Sequence, residues 1–434
     1  MVGGLKPGTI VEVKCGGKTY VGTVMPRPQL TGEGYLTLKL KSGYDIGLKE
    51  SDIESVKVLE EEAPSPSPKR HAMASDPLKR TVTILSTGGT IASRLDYRTG
   101  GVYASFTAED LVAVVPELTG LANIRTESVM NVMSEDMNPK LWSRMAEAAA
   151  KALNGGSDGV VITHGTDTMG YSAAALSFML RDLGKPVVLT GAQKSSDRGS
   201  TDAILNLLCA VAFARSDYAG VYVVMHGSSE DTYCHAHLGT KVRKMHTTRR
   251  DAFRSINASP AARVYQDGRV EALYDGLKRR AAGPVKVESG FQEKVALVKV
   301  YPGFDPGVMD YYLGRGVKGV VIEGTALGHV PTTDPASSVI PAVESFVKAG
   351  VLVAMTTQCL YGRVNPYVYS NLRELSSRGV VYCEDMLPET AYVKMMWALG
   401  KAGSVDEARG LMLSNIAGEI TEKSVALDAD TGFD

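Results

Sequence analysis

The stretch VVITHGTDTMGYSAAALSFML, residues 160–180, decides how this chain is read. Val160–Ile162 close an apolar run, 163–168 are small and polar, and Met169–Leu180 is apolar again and long enough for a helix. Strand, turn and helix in that order are one unit of an α/β fold with a parallel sheet, whose strands, buried on both faces, read as near-continuous Val, Ile and Leu. A second stretch, TVTILSTGGTIAS at 81–93, has the same outline and also ends in a threonine-rich turn. In such sheets ligands bind outside the carboxyl ends of the strands, where these turns lie. The residues on the two turns, Thr87–Thr90 and His164–Thr168, are therefore the first candidates for chemistry.

Working outward, comparable apolar runs occur at 158–162, 186–190, 219–225, 295–300, 317–322, 351–356 and 379–382, besides 81–86. Helical patterns separate them. Thr107 and Asp110 have the spacing of a capping box before AEDLVAVV, and Pro139 stands where a helix start tolerates proline. DAILNLLCAVAFA and SSVIPAVESFVKAG read as further helices. The charged, glycine-rich stretch 265–292 breaks the pattern and divides it into two lobes.

The first 60 residues differ. In YLTLKLKSGY, Leu36, Leu38 and Leu40 alternate with Thr37, Lys39 and Lys41. Val11 and Val13 alternate with Glu12 and Lys14, and Gly16-Gly17 suits a hairpin. Period-two patterning over so short a length predicts a small all-β, barrel-like module. A Pro- and Ser-rich segment without apolar periodicity follows, as in a semi-rigid solvated linker. The expected organisation is a β module at 1–60, a linker at 61–80, an α/β lobe with the active site at 81–275 and a second α/β lobe at 290–434.

With 434 residues, 44% apolar and 22% charged, the chain is long enough for several globular units. A formal net charge of −1 gives no general attraction to nucleic acid. Five scattered cysteines without a C-x-x-C pair read as reduced thiols rather than a zinc site or a disulfide framework. No apolar run nears the ~20 residues of a membrane span, and MVGGLKPGTI lacks the apolar core of a signal peptide, so the expectation is a cytoplasmic protein. There is no phosphate-binding glycine motif of either common type. His235 and His237, with His226 nearby, match no strong metal-ligand spacing.

A threonine hydroxyl is a poor nucleophile until a base takes its proton, and a lysine paired with a carboxylate is one way to supply that base. Gly88 and Gly89 let backbone N–H groups approach an oxyanion. With these residues in view, TGGTIA (87–92) and VITHGTDTM (161–169) resemble the two signature motifs of the bacterial-type L-asparaginase family, which hydrolyses the side-chain amide of Asn or Gln through a threonine acyl-enzyme. VMSEDMN (132–138), KPVVLTGAQKSSD (185–197) and RKMHTTRRDAFRS (243–255) resemble further family segments. The resemblance covers most of 81–434 and implies a two-lobed, parallel-sheet asparaginase-like body. It implies Thr90, Thr166, Asp167 and Lys244 as catalytic residues, with Lys241 the rival for the lysine role. Ser134, Glu135, Tyr103 and Gly89 would contact substrate, Tyr103 from a lid. Glu135 stands where the family usually has Gln. Which threonine attacks is open at this point.

The β module and linker depart from a plain asparaginase. They resemble the archaeal glutamyl-tRNA(Gln) amidotransferase branch of the family, as does NIAGEI at 415–420. That resemblance implies a glutaminase supplying ammonia to a partner, the E subunit of the amidotransferase. The partner would hold ATP and Mg and most contacts to Glu-tRNA(Gln), and this chain would carry no cofactor of its own. A homodimer within a heterotetramer is the implied assembly, with no membrane contact. The competing readings are a stand-alone L-asparaginase with an accessory module and a catalytically idle scaffold. The intact Thr90, Thr166, Asp167 and Lys244 set argues against the scaffold.

Overall fold

The computed structural model describes residues 5–6, 8–25, 34–40, 45–60, 76–88, 93–95, 102–104, 115–194 and 201–424, with the backbone alone for 45, 60, 93–95 and 102–104. The capping box at Thr107 and most of the linker lie outside them.

The front module is a five-stranded antiparallel sheet of Ile10–Cys15, Lys18–Val24, Tyr35–Leu40, Asp45–Lys49 and Ile53–Glu60. Gly16 and Gly17 both take positive φ between the first two strands, which Cys15 and Lys18 join as the last pair. That is the conformation a two-residue hairpin of type I′ requires. The alternation places Val11, Val13, Leu36 and Leu38 in a core of the module's own, with Val24, Leu48 and Ile53.

The body has two sheets. In the first, Asn123–Val132, Thr81–Gly88, Gly159–Thr163, Pro186–Thr190 and Gly220–His226 run parallel in that spatial order. Three antiparallel strands, Cys234–Leu238, Ala262–Val264 and Val270–Ala272, extend the far edge. The sheet is thus mixed, where the apolar runs alone predicted a parallel one. These three strands are short and joined without helical crossovers, so they lack the strand-helix rhythm that marks a parallel addition. Nothing in the sequence signalled Asn123–Val132 either. It is an edge strand with mostly half-buried or exposed residues, and so has no continuous apolar run.

The second sheet is parallel and four-stranded: Val295–Lys299, Gly319–Gly324, Leu352–Thr357 and Val381–Tyr382. Helices Pro139–Asn154, Met169–Met179 and Pro388–Lys401 form one core with residues of both sheets, including Ile162, Val321 and Ala354. Phe178 of one lobe stacks on Trp397 of the other at 5.8 Å. Helix Ala203–Ala214 covers the opposite face of the first sheet over Ile84, Val161 and Val188. Successive residues of a strand point to opposite faces. Val160 and Ile162 therefore serve the shared core while Val161 serves the outer one, which is why all three must be apolar.

Candidate active site

The turns that follow the first-sheet strands meet at one end of the sheet. Gly88 ends its strand at φ +104, and a Cβ there would come within 2.6 Å of the Val132 carbonyl oxygen. Only glycine fits that crossing of neighbouring strands. Thr87 is buried and donates to the Thr163 carbonyl at 2.7 Å, so it fastens two strand ends together. Thr90 and Gly89 lie outside the described residues. Tyr103 falls in strand Val102–Ala104, opposite Arg94 of Ser93–Leu95, and its side chain is outside the described set.

The turn after Gly159–Thr163 is held from within. Trp142 Nε1 donates to Ser172 Oγ at 3.0 Å, and Ser172 Oγ lies 2.9 Å from His164 Nε2. His164 Nδ1 is 2.6 Å from the Gly165 carbonyl. That carbonyl can only accept, so Nδ1 carries the proton and Nε2 accepts from Ser172. Burial holds the His164 pKa down at about 4, against the opposing pull of its bond to Gly165. The imidazole is a neutral brace for the turn. Gly165 packs on Ser134, whose Cβ and Oγ would both lie 2.7 Å from a Cβ at 165. Thr168 Oγ1 donates to the Ser134 carbonyl at 2.6 Å. Ser134 is thereby brought beside the turn, while Glu135 next to it is exposed.

Lys244 closes the group. It ends strand Val242–Lys244, which pairs with Phe253–Ser255 in a hairpin outside the main sheets. Its Nζ lies 2.8 Å from Thr166 Oγ1 and 2.7 Å from Asp167 Oδ1. Thr166 is buried, the Lys244 side chain is 15% exposed, and that of Asp167 is 66% exposed. A lysine bridging a shielded hydroxyl and an open carboxylate can exchange a proton with the first while the second stabilises its charged form. Lys241 is elsewhere. It is buried and paired with Asp385 at 2.7 Å, each side chain 1% exposed, whereas Lys244 is the one that reaches Thr166.

Gln193 was not singled out from the sequence. Its Oε1 accepts from Thr166 Oγ1 at 3.4 Å, and its Nε2 is buried with no partner among the described residues. The loop that carries it hangs on Asp202, whose carboxylate accepts from the backbone N–H of Gln193 and Lys194 at 3.0 Å. The signal available was position, since Gln193 follows Pro186–Thr190 as Thr166 follows Gly159–Thr163. The histidines of Gly220–His226 and Cys234–Leu238 are engaged separately. His226 contacts Asn206 and Asp231, and His237 contacts Ser255. Among the described residues no three His, Cys, Asp or Glu side chains converge on a metal position.

Known protein families match the chain along most of its length. The model for asparaginase, N-terminal, matches residues 81–277, and that for the glutaminase/asparaginase C-terminal domain matches 294–412. The GatD N-terminal domain matches 5–59. The D subunit of glutamyl-tRNA(Gln) amidotransferase from Thermococcus kodakarensis is 55% identical over 404 residues, covering 93% of this chain and 91% of that protein. The chain belongs to the family of glutamyl-tRNA(Gln) amidotransferase D subunits. The D subunit of Methanothermobacter thermautotrophicus is 48% identical over 96% of this chain and 94% of its own. Among solved structures, the thermostable L-asparaginase from Thermococcus kodakarensis is similar at 34% identity and TM-score 0.70, covering 79% of this chain and 100% of that one. L-asparaginase I from Vibrio cholerae is similar at 28% identity and TM-score 0.69, over 79% and 99%. The family thus joins an asparaginase-like body to a front module of its own, and no helix among the described residues is long and apolar enough to cross a membrane.

Proposed function

We propose that this chain is the glutaminase of a tRNA-dependent amidotransferase: it hydrolyses the side-chain amide of glutamine and gives the ammonia to a partner that converts Glu-tRNA(Gln) to Gln-tRNA(Gln). The observation that carries this reading is the Lys244 bridge from Thr166 Oγ1 to Asp167 Oδ1, in a chain of the D-subunit family. In its unprotonated form Lys244 takes the Thr166 proton as the hydroxyl oxygen attacks the amide carbon. The tetrahedral oxyanion collapses, the C–N bond breaks, and the proton held by Lys244 leaves with the nitrogen as ammonia. The threonyl ester left behind is cleaved by water, with Lys244 again moving the proton. Asp167 stabilises the ammonium form and, with Ser134, holds the substrate's α-amine and α-carboxylate. By the sequence resemblance Thr90 and Gly89 act on the same amide, Tyr103 contacts the substrate from a lid, and Glu135 contacts it beside Ser134.

The chain itself carries no cofactor or metal. ATP and Mg belong to the partner, the E subunit, which also makes most contacts to tRNA. The module at 1–60, the linker at 61–80 and lobes at 81–275 and 290–434 work as a homodimer within a heterotetramer in the cytoplasm. The test is steady-state glutamine hydrolysis with and without the E subunit and Glu-tRNA(Gln). Activity should be slow alone and rise when both are present. Full activity on free asparagine or glutamine, indifferent to partner and tRNA, would establish a stand-alone asparaginase instead.

A further inference from the structure

The hairpin whose first strand ends in Lys244 belongs to neither main sheet, so its position must be set by what grips it. Besides first-lobe contacts such as that of Ser255 with His237, it is gripped by the second lobe. Lys241, three residues before Lys244, places Nζ 2.7 Å from Asp385 Oδ2 in full burial. Thr390 Oγ1 donates to the Thr240 carbonyl at 3.0 Å, and Arg243 pairs with Glu389 at 3.2 Å. The segment Asn415–Thr421 completes the enclosure. Thr240 Oγ1 donates to the Ala417 carbonyl at 3.1 Å. Thr421 donates twice to Asp385, from its backbone N–H to Oδ1 at 2.9 Å and from Oγ1 to Oδ2 at 2.5 Å. Asp385 Oδ2 therefore receives Lys241 and the Thr421 hydroxyl together.

The segment is itself locked down. Glu419 is fully buried against Lys394 and accepts from the backbone N–H of Ile416 and Ala417. Gly418, at φ +83, lies where a Cβ would meet Leu238 Cδ2 at 2.6 Å, so the backbone presses on the strand that leads into Thr240. A buried charge pair fixed by further hydrogen bonds holds one geometry, because each alternative leaves a charge or polar group unmatched.

We propose that Asn415–Thr421, acting through Asp385 and Lys241, is a clamp that sets the distance from Lys244 to Thr166, so that Lys241, Asp385 and Thr421 are positioning residues for amide hydrolysis. The inference rests on the glutaminase reading above. A displacement of about 1 Å in a reacting group costs up to ~100-fold in rate, so a small loosening of the clamp reads out in turnover.

Thr421→Val deletes one hydroxyl and leaves the backbone donor in place, whereas Thr421→Ser keeps both. In the full chain, T421V should lower kcat for glutamine roughly tenfold with KM changed less than about twofold, since the substrate-holding groups are untouched. T421S should restore kcat to within about twofold of the parent. Asp385→Asn, a second and stronger perturbation, should lower kcat further. Soluble, cooperatively melting T421V and D385N proteins with parental kcat would overturn the clamp. So would kcat losses that T421S shares, or that only follow the fraction of folded protein. Lys244→Ala in the same assay separates the two ideas: an active K244A protein refutes the glutaminase assignment, whereas an inactive one beside an unaffected T421V refutes the clamp alone.

Discussion

Lys241 and Lys244 stand three residues apart in one basic run, yet their surroundings assign them opposite work. Lys244 bridges Thr166 and Asp167 at the edge of solvent, whereas Lys241 neutralises Asp385 inside the protein. Lys244→Ala should therefore abolish glutamine hydrolysis and leave the melting temperature nearly unchanged, because a pair whose carboxylate is open to solvent contributes at most about 1 kcal/mol. Lys241→Ala should lower stability by about 3–5 kcal/mol by stranding a buried carboxylate. Hydrolysis rates and thermal melts of the two variants check this, and an inactive yet fully stable K241A protein would reverse the assignment. Thr166→Val should abolish hydrolysis while preserving the fold, as should Thr90→Val, whose hydroxyl the sequence resemblance places at the same amide. These groups act as a unit, so the double variant should be no worse than either single one; ammonia release from the three proteins decides it. His164 makes a pH prediction. Its folded-state pKa of about 4 lies below its ordinary 6.5, because burial penalises the cation. The unfolded chain thus binds the proton first, and the stability contributed above pH 6.5 is lost as the pH falls from there towards 4. His235, also held near 4 by burial and by Arg263 and Arg254, adds to the same slope. Denaturation midpoints across that range should fall, and His164→Asn should flatten the fall by about one proton's worth.

At the scale of elements, the strand-turn-helix units were legible because a strand covered on both faces has to be apolar throughout. The runs at 81–86, 158–162 and 186–190 fall on Thr81–Gly88, Gly159–Thr163 and Pro186–Thr190 for that reason. The edge strands escaped notice because an edge has fewer buried positions to declare it. The close packing of turns was equally silent in the sequence. Gly165 looks like an ordinary turn glycine until Ser134 is found where its side chain would be. Gly165→Ala must push Ser134 away from Thr168, so kcat/KM should drop by at least about tenfold. The drop should exceed that of Gly156→Ala, whose site has nothing within 4 Å although its φ of +95 costs some stability. Comparison of the two variants' kcat/KM, each corrected for folded fraction, tests the claim.

Across the whole molecule, the front module has a core cluster of its own, from Val11 to Ile53, so removing residues 1–60 should leave basal glutamine hydrolysis within about twofold of the parent. The truncation should weaken capture of the partner much more, which titration of the E subunit against each protein measures. A truncated chain that loses basal activity in proportion to partner binding would place the module in the catalytic body. By itself, the sequence determined what periodicity and local chemistry can encode: an alternating module, strands that must be buried, and a threonine turn at the carboxyl end of Gly159–Thr163. Tertiary structure alone decided what depends on distant residues meeting. It set the mixed strand directions of the first sheet, brought Lys244 across 78 positions to Thr166, and sent Lys241 across 144 to Asp385. The physical reason is that periodicity reports which face of a segment avoids water, whereas the function of a charge is set by what lies within about 4 Å of it. For these two lysines that neighbourhood is built by strands, helices and a carboxyl-terminal segment from both lobes.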